Sequence, residues 1–162
     1  MAAYTGSLKT TTRAFEEGDL ATIRNLICDT IDRSYTGAYP ASAISFFKDY
    51  HKESSILDDS RKGLTLVVEI DGSITATGTL LGDEIKRMFV SPDMQGKGLG
   101  RFLMDELLHI ARQKGLQRIF LDSSVVSIGF YRKYGMQQVS ENFIPLDDDS
   151  RLDYSRMTMA LK

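Results

Sequence analysis

The stretch Gln95-Gly96-Lys97-Gly98-Leu99-Gly100 constrains this chain more than any other part of it. A short apolar strand at 85–90 and a Ser91-Pro92-Asp93 turn precede it. An amphipathic helix is predicted directly after it, from 99 to 114, with Leu99, Phe102, Leu103, Leu107, Ile110 and Ala111 along one apolar stripe. Strand, glycine-rich loop and helix N-terminus together make a cradle for phosphate. The first N–H groups of a helix have no partner within the helix, and its dipole favours negative charge there. Glycines let the backbone approach an anion closely and take turn conformations closed to other residues. Lys97 and Arg101 add positive charge beside the loop. The expected ligand therefore carries phosphate.

Spacing narrows the choice. A dinucleotide fingerprint needs G-x-G-x-x-G. Started at Gly96, its last glycine falls on Arg101; started at Gly98, it falls on Leu103. The string G-x-x-x-x-G-K-[ST] of a Walker A loop is absent. What remains is Q-x-x-G-x-G, at Gln95, Gly98 and Gly100. This pattern resembles the acetyl-CoA loop of the GNAT superfamily of N-acetyltransferases. The resemblance runs from 83 to 136, with a fainter echo from 12 to 80. Its first block is EIKRMFVSPDMQGKGLGRFLMDELL, and its second is LDSSVVSIGFYRKYGM, which matches a family ending F-Y-x-K-x-G-F at Phe130 to Met136. Ser124 stands where many members carry Asn, Ser127 where they carry Ala, and Met136 where they carry Phe.

The resemblance implies a fold and a set of contacts. The fold is α+β, a GNAT-like mixed and mainly antiparallel sheet flanked by helices. Two parallel strands splay apart in it, and the pantetheine arm of acetyl-CoA enters between them. The arm would pair with the backbone of Met88, Phe89 and Val90. Gln95, Gly96, Lys97, Gly98, Leu99, Gly100 and Arg101 would surround the pyrophosphate. Ser124 would hydrogen-bond a pantetheine amide, with a shorter reach than Asn.

Composition is consistent with one domain over 1–162. Hydrophobic residues make up 42% and charged residues 26%, as in an ordinary globular protein. A net charge of −2 provides no basic field for nucleic acid. Cys28 is the only cysteine, which excludes an internal disulfide and a cysteine-rich metal site. The opening MAAYTGSLKT lacks the pattern of a secretory signal, and no apolar run approaches the roughly 20 residues that span a bilayer. A cytoplasmic protein without membrane attachment is expected. A homodimer is left open.

The remaining elements follow from periodicity and turn chemistry. A first strand is predicted at 8–15 and a helix at 20–33 with Asp19 as N-cap. Pro40 should start a short helix containing Ile44, Phe46, Phe47 and Tyr50. The polar stretch 51–62 reads as a loop. Strands at 64–70 and 73–80 flank Asp71-Gly72, a strong hairpin signal. Strands are predicted at 116–122, 136–143 and 154–161, with a short helix at 126–134. One parallel crossover links strand 85–90 to strand 116–122 through the long helix.

Acetyl transfer to an amine needs a proton acceptor, because a lysine-like amine is neutral in only about one molecule per thousand at neutral pH. It also needs a proton donor for the departing thiolate. Tyr131 matches the tyrosine of the family's second block and is the candidate acid. Glu84, at the start of the strand that feeds the loop, is the candidate base, with a solvated strand-end carboxylate beside Lys86 and Arg87 as the plain alternative. His51 and His109 are the only histidines, and neither stands in a pattern that assigns it chemistry. Tyr35, Tyr39 and Tyr50 could line an acceptor pocket or fill the core. The run Asp147-Asp148-Asp149 reads as a solvated turn. The resulting expectation is an acetyl-CoA-dependent N-acetyltransferase acting on a small-molecule amine in a ternary complex. A protein N-acetyltransferase and a CoA-binding module with little transfer activity remain as alternatives.

Overall fold

Asp71 and Gly72 both take positive φ, 50° and 82°. Two such residues make the type I′ turn whose twist matches a hairpin. They join β2 (Leu64–Ile70) to β3 (Ser73–Leu81), and the sheet grows outward from this pair. The computed structural model describes residues 9–162. β1 (Thr10–Ala14) lies on the free side of β2, and β4 (Glu84–Val90) on the free side of β3. Beyond β4 come β5 (Arg118–Ser124), β7 (Arg151–Ala160) and β6 (Gln137–Pro145). The sheet has seven strands in the order β1-β2-β3-β4-β5-β7-β6. Only the β4–β5 pair is parallel. This is the mixed, mainly antiparallel α+β arrangement expected. The first residue of the predicted strand, Leu8, lies outside the described residues.

Both faces of the sheet are covered. α4 (Leu99–Gln113) packs Leu103, Met104, Leu107 and Ala111 against Leu66, Val68 and Ile70 of β2 and Ile85 of β4. On the opposite face, α1 (Leu20–Ser34) brings Ile23, Ile27 and Ile31 to Val67 of β2. α2 (Ala41–Tyr50) and α3 (Glu53–Lys62) complete that side. Alternate β2 residues thus feed two cores, which explains why the strand is apolar on both faces. α5 (Ile128–Tyr134) sits between β5 and β6. No helix of the described residues is long and apolar enough to cross a membrane.

Three local expectations need correction. The stretch 51–62 is not a loop: α3 occupies Glu53–Lys62. Its one fully buried apolar side chain is Ile56, and most of its residues are polar or charged, which gives the stretch the composition of a loop. Docking and charge hold it instead, through Glu53 in the first turn, an Asp58–Lys62 pair one turn apart, and buried Asp59. Asp19 stands at the start of α1 but does not cap it with its side chain. Its carboxylate accepts the Glu16 N–H and the Arg13 guanidinium, tying the helix start to β1. β5 begins two residues later than predicted, because Leu116 N–H still bonds back to Ala111 at the end of α4.

Two irregularities in β4 shape what lies beside it. Thr77 pairs with Phe89 and Thr79 with Lys86, so Arg87 and Met88 together oppose Gly78. This is a β-bulge, and Arg87 takes a φ of 54° to make it. A Cβ on Gly78 would lie 2.5 Å from Met88 Sδ and 3.1 Å from Leu107 Cδ1, so a side chain there would displace the bulge's Met88. The extra residue reverses the strand's alternation. Ile85 joins the α4 core while Phe89 joins the α1 core. Arg87 therefore falls on the same side as Lys86. Secondly, β4 and β5 share only one registered pair, Glu84 with Phe120, besides the Phe120 N–H bond of 3.0 Å to Asp83. Past Glu84 the two parallel strands separate.

Candidate active site

The gap between β4 and β5 opens into a cavity of about 210 Å³. Glu84 to Phe89 form one wall and Leu121 to Ser124 the other. Tyr35, Phe46, Phe47 and Tyr50 close it from the α1–α2 side, and Tyr131 enters from α5. The glycine loop lies where β4 ends. Gly96 and Gly98 take φ of 75° and 87°, and Gly98 is the N-cap of α4. Phe102 N–H makes the first backbone bond of the helix, to Gly98 O at 3.0 Å. The N–H groups before it are left for an external acceptor. Gln95 and Lys97 are exposed, as is Arg101, whose guanidinium stands 5.9 Å from the Tyr134 ring. Leu99 and Phe89 are buried in the two cores, so only their backbones are available. Val90 O accepts the Gln95 side-chain amide at 3.0 Å, which ties the loop to the strand.

Gly100 connects the two sequence blocks. A Cβ there would stand 3.2 Å from the Phe130 ring. Phe130 thus lies against the first turn of α4, and the next residue of α5, Tyr131, turns into the cavity. Tyr131 is 6% exposed, and burial pushes its hydroxyl pKa well above the usual tyrosine value. Tyr134 is separate from it, donating its hydroxyl to Asp105 of α4.

Glu84 is half-buried at the closed end of the gap. Burial raises its carboxyl pKa, Lys86 opposes the rise, and Asp122 adds to it. Ser124 is half-buried, with its hydroxyl 3.4 Å from that of Ser127. Tyr35 lies beside Ser124, and burial raises its pKa. Tyr39 has a structural part. Its hydroxyl donates to Asp153 O at 2.7 Å and accepts Val125 N–H at 2.8 Å, fixing the end of β5 to β7. His109 is exposed on α4, and Asp147 to Asp149 form the exposed β6–β7 turn.

Sequence reasoning missed a charged cluster in the cavity wall. Arg87 Nη1 and Lys86 Nζ both bond Asp59 Oδ2 of α3. Burial works against the Asp59 charge, but the Arg87 and Lys86 hydrogen bonds outweigh it and hold its pKa below the usual carboxylate value. The Tyr50 ring covers both cations, 5.6 Å from Lys86 Nζ and 5.9 Å from the Arg87 guanidinium. His51 is buried beside them, edge-on to Phe89 at 5.2 Å. Burial, then Arg87 and Lys86, push its pKa down to about 3. The available signal was the Lys86-Arg87 pair itself, two basic residues in a strand that otherwise reads as buried.

Residues 25–136 match the family model described as the acetyltransferase (GNAT) family. The chain belongs to that family. The glucosamine 6-phosphate N-acetyltransferase of Trypanosoma brucei brucei is 38% identical over 68 residues, which cover 42% of this chain and 46% of the relative. The chain spans about half the length of the curated relatives it matches. A GCN5-related N-acetyltransferase from Rhodopseudomonas palustris superposes with a TM-score of 0.86 at 22% identity, over 94% of this chain and 96% of its own. PaiA N-acetyltransferase from Thermoplasma acidophilum, solved in complex with coenzyme A, superposes at 0.74 with 19% identity, over 94% and 99%. At these identities the two structures establish the shared fold.

Proposed function

We propose that this GNAT chain transfers an acetyl group from acetyl-CoA to the amine of a small molecule. The observation that carries the reading is the opening of β4 from β5 beside a helix N-terminus whose loop has two left-handed glycines. An extended thioester arm fits the unpaired edge of β4 at Met88 to Val90, and a pyrophosphate fits the free N–H groups of 96–101. Gln95, Lys97 and Arg101 border that anion site, and Ser124 faces the arm from β5. The cavity is sized for a small acceptor group.

The chemistry balances with groups of this chain. The amine nitrogen forms a bond to the thioester carbonyl carbon, and the carbon–sulfur bond breaks. Glu84, with its pKa raised by burial, accepts the amine proton directly or through water. Tyr131 supplies a proton to the departing thiolate, because burial keeps its hydroxyl protonated. Tyr131 keeps its proton across the neutral range.

Acetyl-CoA at about 100 times its dissociation constant should stabilise the chain by roughly 2.7 kcal/mol. For a chain of this size that corresponds to a rise in melting temperature of roughly 5–10 °C. A melt unmoved by acetyl-CoA but raised by NAD or ATP would overturn the reading. Release of free thiol with an amine panel then tests transfer.

Gly98→Asp tests the loop directly. Its left-handed backbone disfavours any side chain, and a carboxylate would face the pyrophosphate. Calorimetry should show CoA affinity falling roughly ten- to a hundredfold in a folded variant. Gly98→Ala, which adds strain without charge, should lose less. Equal affinity for wild type and Gly98→Asp would place the phosphates elsewhere.

A further inference from the structure

Four buried side-chain polar atoms lack a hydrogen-bond partner among the described residues. Two are the hydroxyls of Thr10 and Thr12, on the edge strand β1. The others are His51 Nδ1 and Arg87 Nε, and both residues line the cavity between β4 and β5. Each of these two residues is only 7% exposed. A buried donor without an acceptor is costly, and folded proteins rarely keep one without a use. Arg87 is also held there by a bulge and an unfavourable φ of 54°. Its Nη1 shares one oxygen of Asp59 with Lys86 Nζ. Two cations on one carboxylate leave a positive charge in excess. Burial works against the Lys86 charge, but its bond to Asp59 keeps the amine protonated. Neutral His51 adds a donor without adding charge in the tautomer that carries its proton on Nδ1, the form an oxyanion at this wall selects. Glu84, the nearest further carboxylate along β4, stands at the closed end of the gap.

We propose that the acceptor amine carries an oxyanion, a carboxylate or a phosphate, which the Arg87 guanidinium, His51 and Lys86 receive from the cavity wall, with Arg87 Nε and His51 Nδ1, closed to solvent without the anion, coming into reach as these side chains adjust around it. This deepens the acetyltransferase reading and rests on it. The Tyr50 and Phe46 rings flank the subsite, so the body between amine and anion packs against aromatic surface. A purely structural ion pair between β4 and α3 makes the opposite forecast: no discrimination by acceptor charge.

The test measures thiol release from acetyl-CoA with three matched pairs. They are phenylalanine against phenethylamine, O-phosphoethanolamine against ethanolamine, and glucosamine 6-phosphate against glucosamine. The charged member of at least one pair should be preferred in kcat/KM by roughly ten- to a hundredfold, the scale of a hydrogen bond to a charged group. The preferred pair distinguishes carboxylate from phosphate. Arg87→Lys keeps a cation for Asp59 but loses the guanidinium fork, and should cut that preference about tenfold, through KM. Lys86→Met, which leaves Asp59 paired with Arg87, is the second variant and should also reduce it. Without turnover, inorganic phosphate or phenylpropionate added to the CoA complex should shift the Arg87 Nε proton resonance. Preference for the neutral member throughout, a preference that survives both variants, or no resonance shift with either anion overturns the assignment. A chain that binds acetyl-CoA and acetylates only neutral amines loses the oxyanion subsite and keeps its acetyltransferase activity. A chain that calorimetry shows not to bind acetyl-CoA loses both.

Discussion

Asp59→Ala should destabilise the fold by about 3–5 kcal/mol, the cost of leaving a buried ion-pair partner without its counterion. The Arg87 side chain is only 4% exposed and Asp59 13%, so water cannot take over the lost contact. Lys86 loses the same oxygen. Asp59→Asn keeps an acceptor without the charge and should lose less. Denaturant midpoints, with slopes unchanged, measure both. The same cluster sets the acid limit. His51 is held neutral in the folded chain, so stability falls as pH drops below about 6.5, where the unfolded histidine takes up a proton, and continues to fall toward its folded value of about 3. Asp59 has a lowered pKa, so its contribution is present above the ordinary carboxylate range and lost as pH falls through its folded value. In Asp59→Ala the second part of this acid dependence should disappear. An Asp59→Ala variant as stable as wild type would show that Arg87 is solvated or repartnered.

The cluster also marks where the sequence stopped being legible. The glycine loop, the α4 stripe and the Asp71-Gly72 hairpin were readable because each is local: turn chemistry and periodicity act within a few residues. Tyr131 and Glu84 were singled out through a family resemblance, and the structure brings both to the lining of one cavity. α3 was not readable. Most of its residues are polar or charged and only Ile56 is fully buried, so it has the composition of a loop, and its stability comes from contacts made only after the sheet forms. Asp59 was hidden with it. Arg87 was hidden for a different reason. Strict alternation along β4 would turn its side chain toward α4, and only the bulge opposite Gly78 sends it the other way. A bulge is a property of two strands and their register, which one strand's sequence does not carry. Within the long helix, Phe102 was expected on the buried stripe but is 36% exposed, while Met104 and Leu108 are buried in its place. The stripe is therefore centred further round the helix than periodicity placed it.

Tyr131→Phe should lower turnover by roughly ten- to a thousandfold while CoA affinity hardly changes. The ring stays in its slot beside Phe130, 5.1 Å between centroids, and only the hydroxyl is lost. Burial and the neighbouring Tyr35, not a hydrogen bond, set the environment of that hydroxyl, so its removal leaves no protein group unpaired and little stability is at stake. A loss of turnover would then report chemistry and not folding. Burial also fixes the form of the pH profile. With its pKa raised, Tyr131 remains a proton donor above pH 10, so it should contribute no alkaline fall in rate within the stable range. Any alkaline limb must come from another group. On the acid side the rate should rise as Glu84 ionises, at a pH above that of an ordinary glutamate, because burial raises its pKa. Tyr134→Phe is the matched control, since its hydroxyl is already committed to Asp105 on the far side of α5. It should leave the rate within about threefold of wild type, the spread of a substitution away from reacting atoms. Equal turnover for wild type and Tyr131→Phe would remove Tyr131 from the proton transfer and hand the thiolate's proton to water. A large loss confined to Tyr134→Phe would move the acid to the α4 side of the helix, where the buried cavity does not reach.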